Sequence, residues 1–177
     1  MRIGIIGYGR FGKLWSEQMK KFGGVFVYDK EGGAKKKIGN VLNVDLLFLL
    51  VPISEIKNVC REIADKLGKN TIVIDACSVK VKPAEDMLAG LRKNQPIIAN
   101  HPLFGPDSVF RFGMAGQKIV VCPLRVNKEQ LEGFESLLKK MKLKIVRTTP
   151  LEHDRQIAES QAVVHFIGRA LARLKLK

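Results

Sequence analysis

Cysteine is scarce. The three present, Cys60, Cys77 and Cys122, fall in segments with helix or strand patterning and lack the C-x-x-C spacing of a metal or dithiol site. Buried free thiols are therefore expected, and no metal. Long apolar runs are missing too: the longest, Leu46 to Ile53, is far short of the roughly 20 residues that cross a bilayer. No basic start leads into an apolar signal segment either, so a soluble, cytoplasmic protein with no membrane partner is expected. Acidic residues are outnumbered, 17 against 31 Lys plus Arg, which leaves a formal charge of +14 and a field that favours anionic partners. Nucleic acid is not the expected one, because the lysines are dispersed and no basic run alternates with the aromatics, which make up 7% of the chain. The one tight cluster, Lys35 to Lys37, reads as a solvated loop. A phosphate-rich cofactor and an acidic small molecule suit the charge equally well. With 46% hydrophobic residues in 177, the chain can bury one substantial core and carry a small appendage.

What is present begins at once. The apolar run Ile3-Gly4-Ile5-Ile6 leads into Gly7-Tyr8-Gly9-Arg10-Phe11-Gly12 and then into an amphipathic stretch, the order strand, glycine turn, helix. In such a turn Gly7 allows the tight bend, Gly9 lets backbone N–H groups approach a pyrophosphate, and Gly12 permits close helix–strand packing. A second run, Val25 to Tyr28, ends in Asp29, about 20 residues beyond the turn, where a ribose-binding acid belongs. The candidate cofactor set is therefore Gly7, Tyr8, Gly9, Arg10, Phe11, Gly12 and Asp29, joined by Val51, Pro52 and Ser78 after later strands. Asp29 favours NAD, since a 2′-phosphate would be repelled there. Lys30 and Lys35 to Lys37 leave NADP as the alternative.

Beyond Asp29 the pattern alternates. Leu46 to Val51 is the continuous apolar run of a buried parallel strand, Glu55 to Leu67 has helical periodicity, and Thr71 to Asp75 is again a strand. Glu85 to Leu91 predicts a short helix, Pro96 to Ala99 and Lys118 to Cys122 strands, Lys128 to Met141 a helix, and Lys144 to Arg147 a last strand. Residues 1–149 thus read as an α/β, Rossmann-type, doubly wound and mainly parallel sheet. Thr149-Pro150-Leu151-Glu152 then supplies an N-cap, a proline at the first helical position and a capping glutamate, so residues 150–177 form one long C-terminal helix. At 100° per residue Asp154, Gln161 and His165 share a polar stripe, and Ile157, Val164, Ile167, Leu171 and Leu174 lie opposite, an apolar side suited to a subunit interface.

Ligands of such sheets bind beyond the carboxyl ends of the strands. There the chain places Asp75-Ala76-Cys77-Ser78-Val79-Lys80 and Asn100-His101-Pro102-Leu103-Phe104-Gly105-Pro106-Asp107. Histidine titrates closest to neutrality, and Pro102, Gly105 and Pro106 fix the backbone around His101, which suits a general base. The chain lacks a G-x-S-x-G elbow, so Ser78 with His101 does not suggest acyl transfer.

The glycine turn, the segment from Asp75 to Lys80, the string HPLFGPD from His101 to Asp107, and Glu152-His153-Asp154 running on to Gln161 and His165-Phe166 together resemble the prephenate dehydrogenase family along nearly the whole chain. The resemblance implies NAD(P)-dependent oxidative decarboxylation of prephenate, or of arogenate, in tyrosine biosynthesis. By position it makes His101 and Ser78 catalytic: His101 polarises the ring hydroxyl, and Ser78 orients the histidine and contacts substrate and nicotinamide. Gln161 and His165 match residues facing the substrate, and His153 is explained equally well by helix-start packing. The family continues past this point into a helical dimerisation and substrate domain, of which residues 150–177 are the first helix, so a homodimer through that helix is implied. The absent region supplies the arginine that clamps a substrate carboxylate; Arg169, Arg173 or a second subunit's basic residue would have to replace it. A non-catalytic NAD(P)-binding module of the same fold is the rival expectation.

Overall fold

A computed structural model describes residues 1–31 and 38–173, with backbone alone at Gln161, Ala162, His165 and Ala172. Lys35 to Lys37 and Leu174 lie outside the described residues. Seven strands form one sheet in the order β2-β1-β3-β4-β5-β6-β7. β1 (Arg2–Ile6), β2 (Gly24–Tyr28), β3 (Leu46–Leu49), β4 (Ile72–Asp75) and β5 (Ile97–Pro102) run parallel. β6 (Lys118–Arg125) turns antiparallel to β5, and β7 (Lys144–Arg147) follows β6 in parallel. The central strands are short apolar runs buried on both faces, as crossover helices on both sides require. One face packs α1 (Arg10–Met19) and α5 (Lys128–Lys140), through Trp15, Met19, Phe134 and Leu138. The other packs α2 (Ile56–Ile63) and α3 (Val81–Gly90), through Ile56, Cys60 and Met87. All three cysteines are buried free thiols, as their scarcity and spacing implied. The chain leaves β1 for β2 on one side and returns to β3 on the other, so the crevice beyond β1 is the topological switch point.

Several boundaries differ from the sequence expectation, each for a physical reason. β5 continues past Ala99 because β6 supplies ladder partners, pairing Asn100 with Val121, His101 with Val120 and Pro102 with Ile119. Tertiary pairing there overrides the poor strand propensity of Asn-His-Pro, and His101 sits inside the strand rather than after it. Helix α3 starts at Val81, four residues early, since Pro83 falls in the first turn, where its missing N–H costs nothing. The segment after HPLFG, for which the sequence pattern predicts no element, forms α4 (Pro106–Phe112), capped by Gly105 with Pro106 at the first position.

The terminal helix starts as its capping signals require: Thr149 Oγ1 accepts from the Glu152 N–H, and Pro150 opens α6 (Pro150–Ile157). Helical backbone continues to Arg173, but a π turn over Ala158–Ala162 separates α6 from α7 (Val163–Arg173). An i→i+5 turn holds an extra residue, so α7 slips in phase by about 100° relative to a straight extrapolation from Asp154. Among the described residues no helix is long and apolar enough to cross a membrane.

Candidate functional site

The first half of the site is steric. Gly7 has φ +104°, and a Cβ there would meet the Leu50 carbonyl oxygen at 2.3 Å. A Cβ on Gly12 would lie 2.2 Å from the Gly7 carbonyl, so α1 approaches the turn as closely as a helix can. Gly9, the N-cap of α1, faces open space instead. The three glycines therefore divide into two that the packing demands and one that keeps the positive end of a helix accessible, the arrangement a pyrophosphate needs. Backbone bonds hold the turn between its neighbours: Gly7 N–H donates to Tyr28 O at 2.9 Å, and Leu50 N–H to Ile6 O at 2.7 Å.

Asp29 closes the end of β2. Its carboxylate accepts from the backbone N–H of Tyr8 and, at 2.9 Å, from that of Glu31. A cavity of about 590 Å³ opens here, lined by Gly7, Gly9, Asp29, Val51 and Pro52 among others. Five residues of the candidate cofactor set thus share one cavity at the switch point. Three further carboxylates, Glu31, Glu55 and Glu62, line it, against Lys30 as the single cation among the described residues. Tyr8 contributes its N–H, and Lys13 Nζ lies 5.9 Å from its ring centroid. Arg10 reaches across to Asp107 at 2.6 Å, an exposed pair worth up to about 1 kcal/mol. Phe11 turns to the core, stacking on Trp15 at 5.6 Å and facing Phe104 at 6.3 Å.

The second half of the site centres on His101, only 7% exposed. Its Nδ1 lies 2.9 Å from Nε2 of His153, whose Nδ1 lies 2.7 Å from Oδ1 of Asp154. Asp154 also accepts the backbone N–H groups of Lys80, at 2.6 Å, and Val81, at 2.9 Å. The capped start of α6 is what brings His153 and Asp154 against the start of α3. Burial, followed by His153 and Lys80 nearby, pushes the His101 pKa down to about 4, so the imidazole is neutral at neutral pH. At Asp154 burial acts to raise the pKa. Hydrogen bonds from the Val81 N–H, His153 and the Lys80 N–H outweigh it and hold the carboxyl below its ordinary value.

Beneath this lies a fully buried ion pair. Lys80 Nζ donates to Asp75 Oδ2 and, at 2.6 Å, to the Asn100 carbonyl. Asp75 in turn accepts from the N–H groups of Asn100 and Cys77, each at 2.9 Å. One carboxylate at the end of β4 thus fixes both the strand that carries His101 and the loop that carries Ser78. Ser78 is exposed and, among the described residues, makes no hydrogen bond; the partner of His101 is His153. Gln161 lies within the π turn and His165 in α7, and their side chains are outside the described residues.

Three groups escaped the sequence reading. The residues that secure His101 are 52 positions away, so only the Glu-His-Asp string after a helix cap pointed to them. Lys80 is the rarest kind of lysine, one with no exposure, and no local signal marks it. Phe104, inside HPLFGPD, packs its ring 6.4 Å from Trp15, so the loop after His101 is anchored to the helix that follows the glycine turn.

The family profile described as "Prephenate dehydrogenase, nucleotide-binding domain" matches residues 27–147, a stretch that takes in Asp29, Ser78 and His101. Arogenate dehydrogenase 1, chloroplastic, of Arabidopsis thaliana is 29% identical over 196 residues, covering 99% of this chain and 31% of that protein. The T-protein of Enterobacter agglomerans is 30% identical over 164 residues, 90% of this chain and 41% of that protein. The chain spans well under half the length of either relative. Among solved structures, prephenate dehydrogenase from A. aeolicus in complex with hydroxyphenyl propionate and NAD+ superposes with a TM-score of 0.82 at 18% identity, over 98% of this chain and 68% of that one. Synechocystis arogenate dehydrogenase gives 0.75 at 23% identity, over 89% and 63%. At these identities the structural likeness is one of fold.

Proposed function

The chain belongs to the family of prephenate dehydrogenase nucleotide-binding domains, and from that premise we propose that it binds NAD and carries out the oxidative decarboxylation of prephenate or arogenate. The observation that carries this reading is a neutral, buried His101 at the carboxyl edge of the sheet whose switch point holds the glycine turn. Bound there, the nicotinamide would supply the hydride acceptor. The N–H groups at the start of α1 would hold the pyrophosphate and Asp29 the adenosine ribose. His101 would take the proton of the substrate's ring hydroxyl as the ring carboxylate departs as carbon dioxide, and return it to the phenolic oxygen of the aromatic product. Ser78, in the loop between β4 and α3, is assigned to substrate and cofactor contact, and Gln161 and His165 to substrate binding. The relatives' names, arogenate dehydrogenase among them, support both acids as substrates. The test is the absorbance of reduced nicotinamide when either acid is added to chain saturated with NAD. A rise supports the reading, and saturable NAD binding with no rise for either acid makes the chain a cofactor-binding module instead.

Four carboxylates around the adenosine end, Asp29, Glu31, Glu55 and Glu62, favour NAD over a dinucleotide bearing a 2′-phosphate. Asp29→Asn is expected to weaken NAD roughly 10- to 100-fold, the loss of one or two charge-assisted bonds, while NADP changes less. Binding titrations with both dinucleotides measure this, and an equal loss for both contradicts it. A homodimer through the terminal helix belongs to the same reading, supported by Val164, Phe166 and Leu171, which are 69%, 75% and 50% exposed on α7. A dimeric mass in sedimentation supports it, and a monomer at the concentrations of the activity assay refutes it.

A further inference from the structure

We infer that His153 and Asp154 are positioning residues that fix the tautomer of His101, placing its proton on Nδ1 and leaving the lone pair on Nε2. The inference rests on the reading of His101 as the base, and it follows from which atoms can donate. The Asp154 carboxylate only accepts, and it is held in place by the Lys80 and Val81 N–H groups at the start of α3. His153 Nδ1, 2.7 Å from that carboxylate, must therefore carry a hydrogen. In a neutral imidazole the other nitrogen is then an acceptor, so His153 Nε2 has a lone pair. It lies 2.9 Å from His101 Nδ1, which must be the donor. Neutral His101 consequently has its proton spoken for and its Nε2 free to take one. Each bond in the series dictates the next, from two backbone amides to the basic nitrogen.

The alternative is that His153 merely fills space at the start of α6. Packing alone sets no polarity, whereas this series does, and the polarity can be reversed. An asparagine at 154 that keeps its oxygen on the Val81 N–H puts its nitrogen in the Oδ1 place, giving up the Lys80 N–H bond and presenting an N–H to His153. His153 Nδ1 then becomes the acceptor, its Nε2 gains the hydrogen, and that hydrogen points at His101 Nδ1. The proton of His101 is driven to Nε2 and the basic lone pair is turned away from the substrate.

The experiment is nitrogen NMR on the full chain labelled at histidine, at neutral pH, with His101 assigned through the His101→Gln variant. In the unsubstituted chain His101 is expected to show a protonated Nδ1 and an unprotonated Nε2, and the reverse pattern would overturn the proposal. Asp154→Asn is expected to invert both rings and to lower kcat on the order of 10²- to 10⁴-fold with little change in the KM for NAD. A folded Asp154→Asn chain in which His153 Nδ1 has lost its hydrogen while the His101 tautomer is unchanged would also overturn it. His153→Gln, whose amide oxygen can accept from Nδ1, should retain much more turnover than His153→Phe; equal losses would show that hydrogen-bond polarity is irrelevant. The spectrum of the unsubstituted chain requires neither turnover nor a variant that folds, so it decides the tautomer even where the dehydrogenase reading fails.

Discussion

His101→Asn is expected to lower turnover by roughly 10²- to 10⁴-fold, the usual contribution of a positioned acid–base group, and to leave NAD affinity nearly unchanged. The two effects separate because His101 is absent from the lining of the cavity at Gly7, Gly9 and Asp29. Steady-state kinetics alongside a binding titration measure both, and a loss of NAD affinity as large as the loss of turnover would contradict the assignment. The same substitution has a signature in stability. The folded-state pKa of His101 is depressed to about 4, chiefly by burial, below an unfolded value near 6.5. Above the unfolded value neither state binds the proton and the full stability is present. As pH falls through that window the unfolded chain protonates first, and on the order of 3 kcal/mol is lost by the time the folded pKa is passed. Denaturant unfolding at about pH 7 and about pH 4 should therefore show a smaller drop for His101→Asn than for the unsubstituted chain.

Lys80→Met is expected to cost about 3–5 kcal/mol, the penalty for leaving one partner of a buried pair uncompensated. Both side chains of the Lys80–Asp75 pair have no exposure, so water cannot solvate the abandoned carboxylate. Against a total stability of about 5–15 kcal/mol, that is enough to shift the unfolding midpoint far or to prevent folding at physiological temperature. Replacing both partners, Lys80→Met with Asp75→Asn, should recover a large part, because the asparagine can still accept the N–H of Asn100 or Cys77. The unfolding free energies of the two single variants and the double variant form a cycle that measures this coupling. Strict additivity would mean that the pair is not the hub connecting β4, β5 and the start of α3.

What the sequence discloses here is what backbone sterics and local caps control. Gly7 and Gly12 are legible because no other residue fits a positive φ or a 2.2 Å approach to a carbonyl, and Asp29 because it ends the next strand at a fixed distance. Thr149 and Pro150 announce the terminal helix by the same local logic. Long-range pairing is what hides the rest. The extension of β5 through His101 depends on β6, some 20 residues on, and nothing within Asn100-His101-Pro102 foretells it. The contact between His101 and His153 exists only because α6 packs against α3. The π turn at Ala158–Ala162 leaves no periodicity to read, since one added residue per turn looks the same as an unbroken helix until its phase is measured. Ser78, by contrast, makes no hydrogen bond among the described residues, and the side chain bonded to His101 is another histidine, a contact that no signal in the segment from Asp75 to Lys80 foretells.

The most direct measurement follows carbon dioxide and reduced nicotinamide together, with carboxyl-labelled prephenate or arogenate and NAD. A single site in which His101 takes the hydroxyl proton as hydride and carboxylate depart predicts equal rates of the two products, lost together in His101→Asn. Release of carbon dioxide without reduction of NAD, or a His101→Asn chain that still yields both at the original rate, would contradict it.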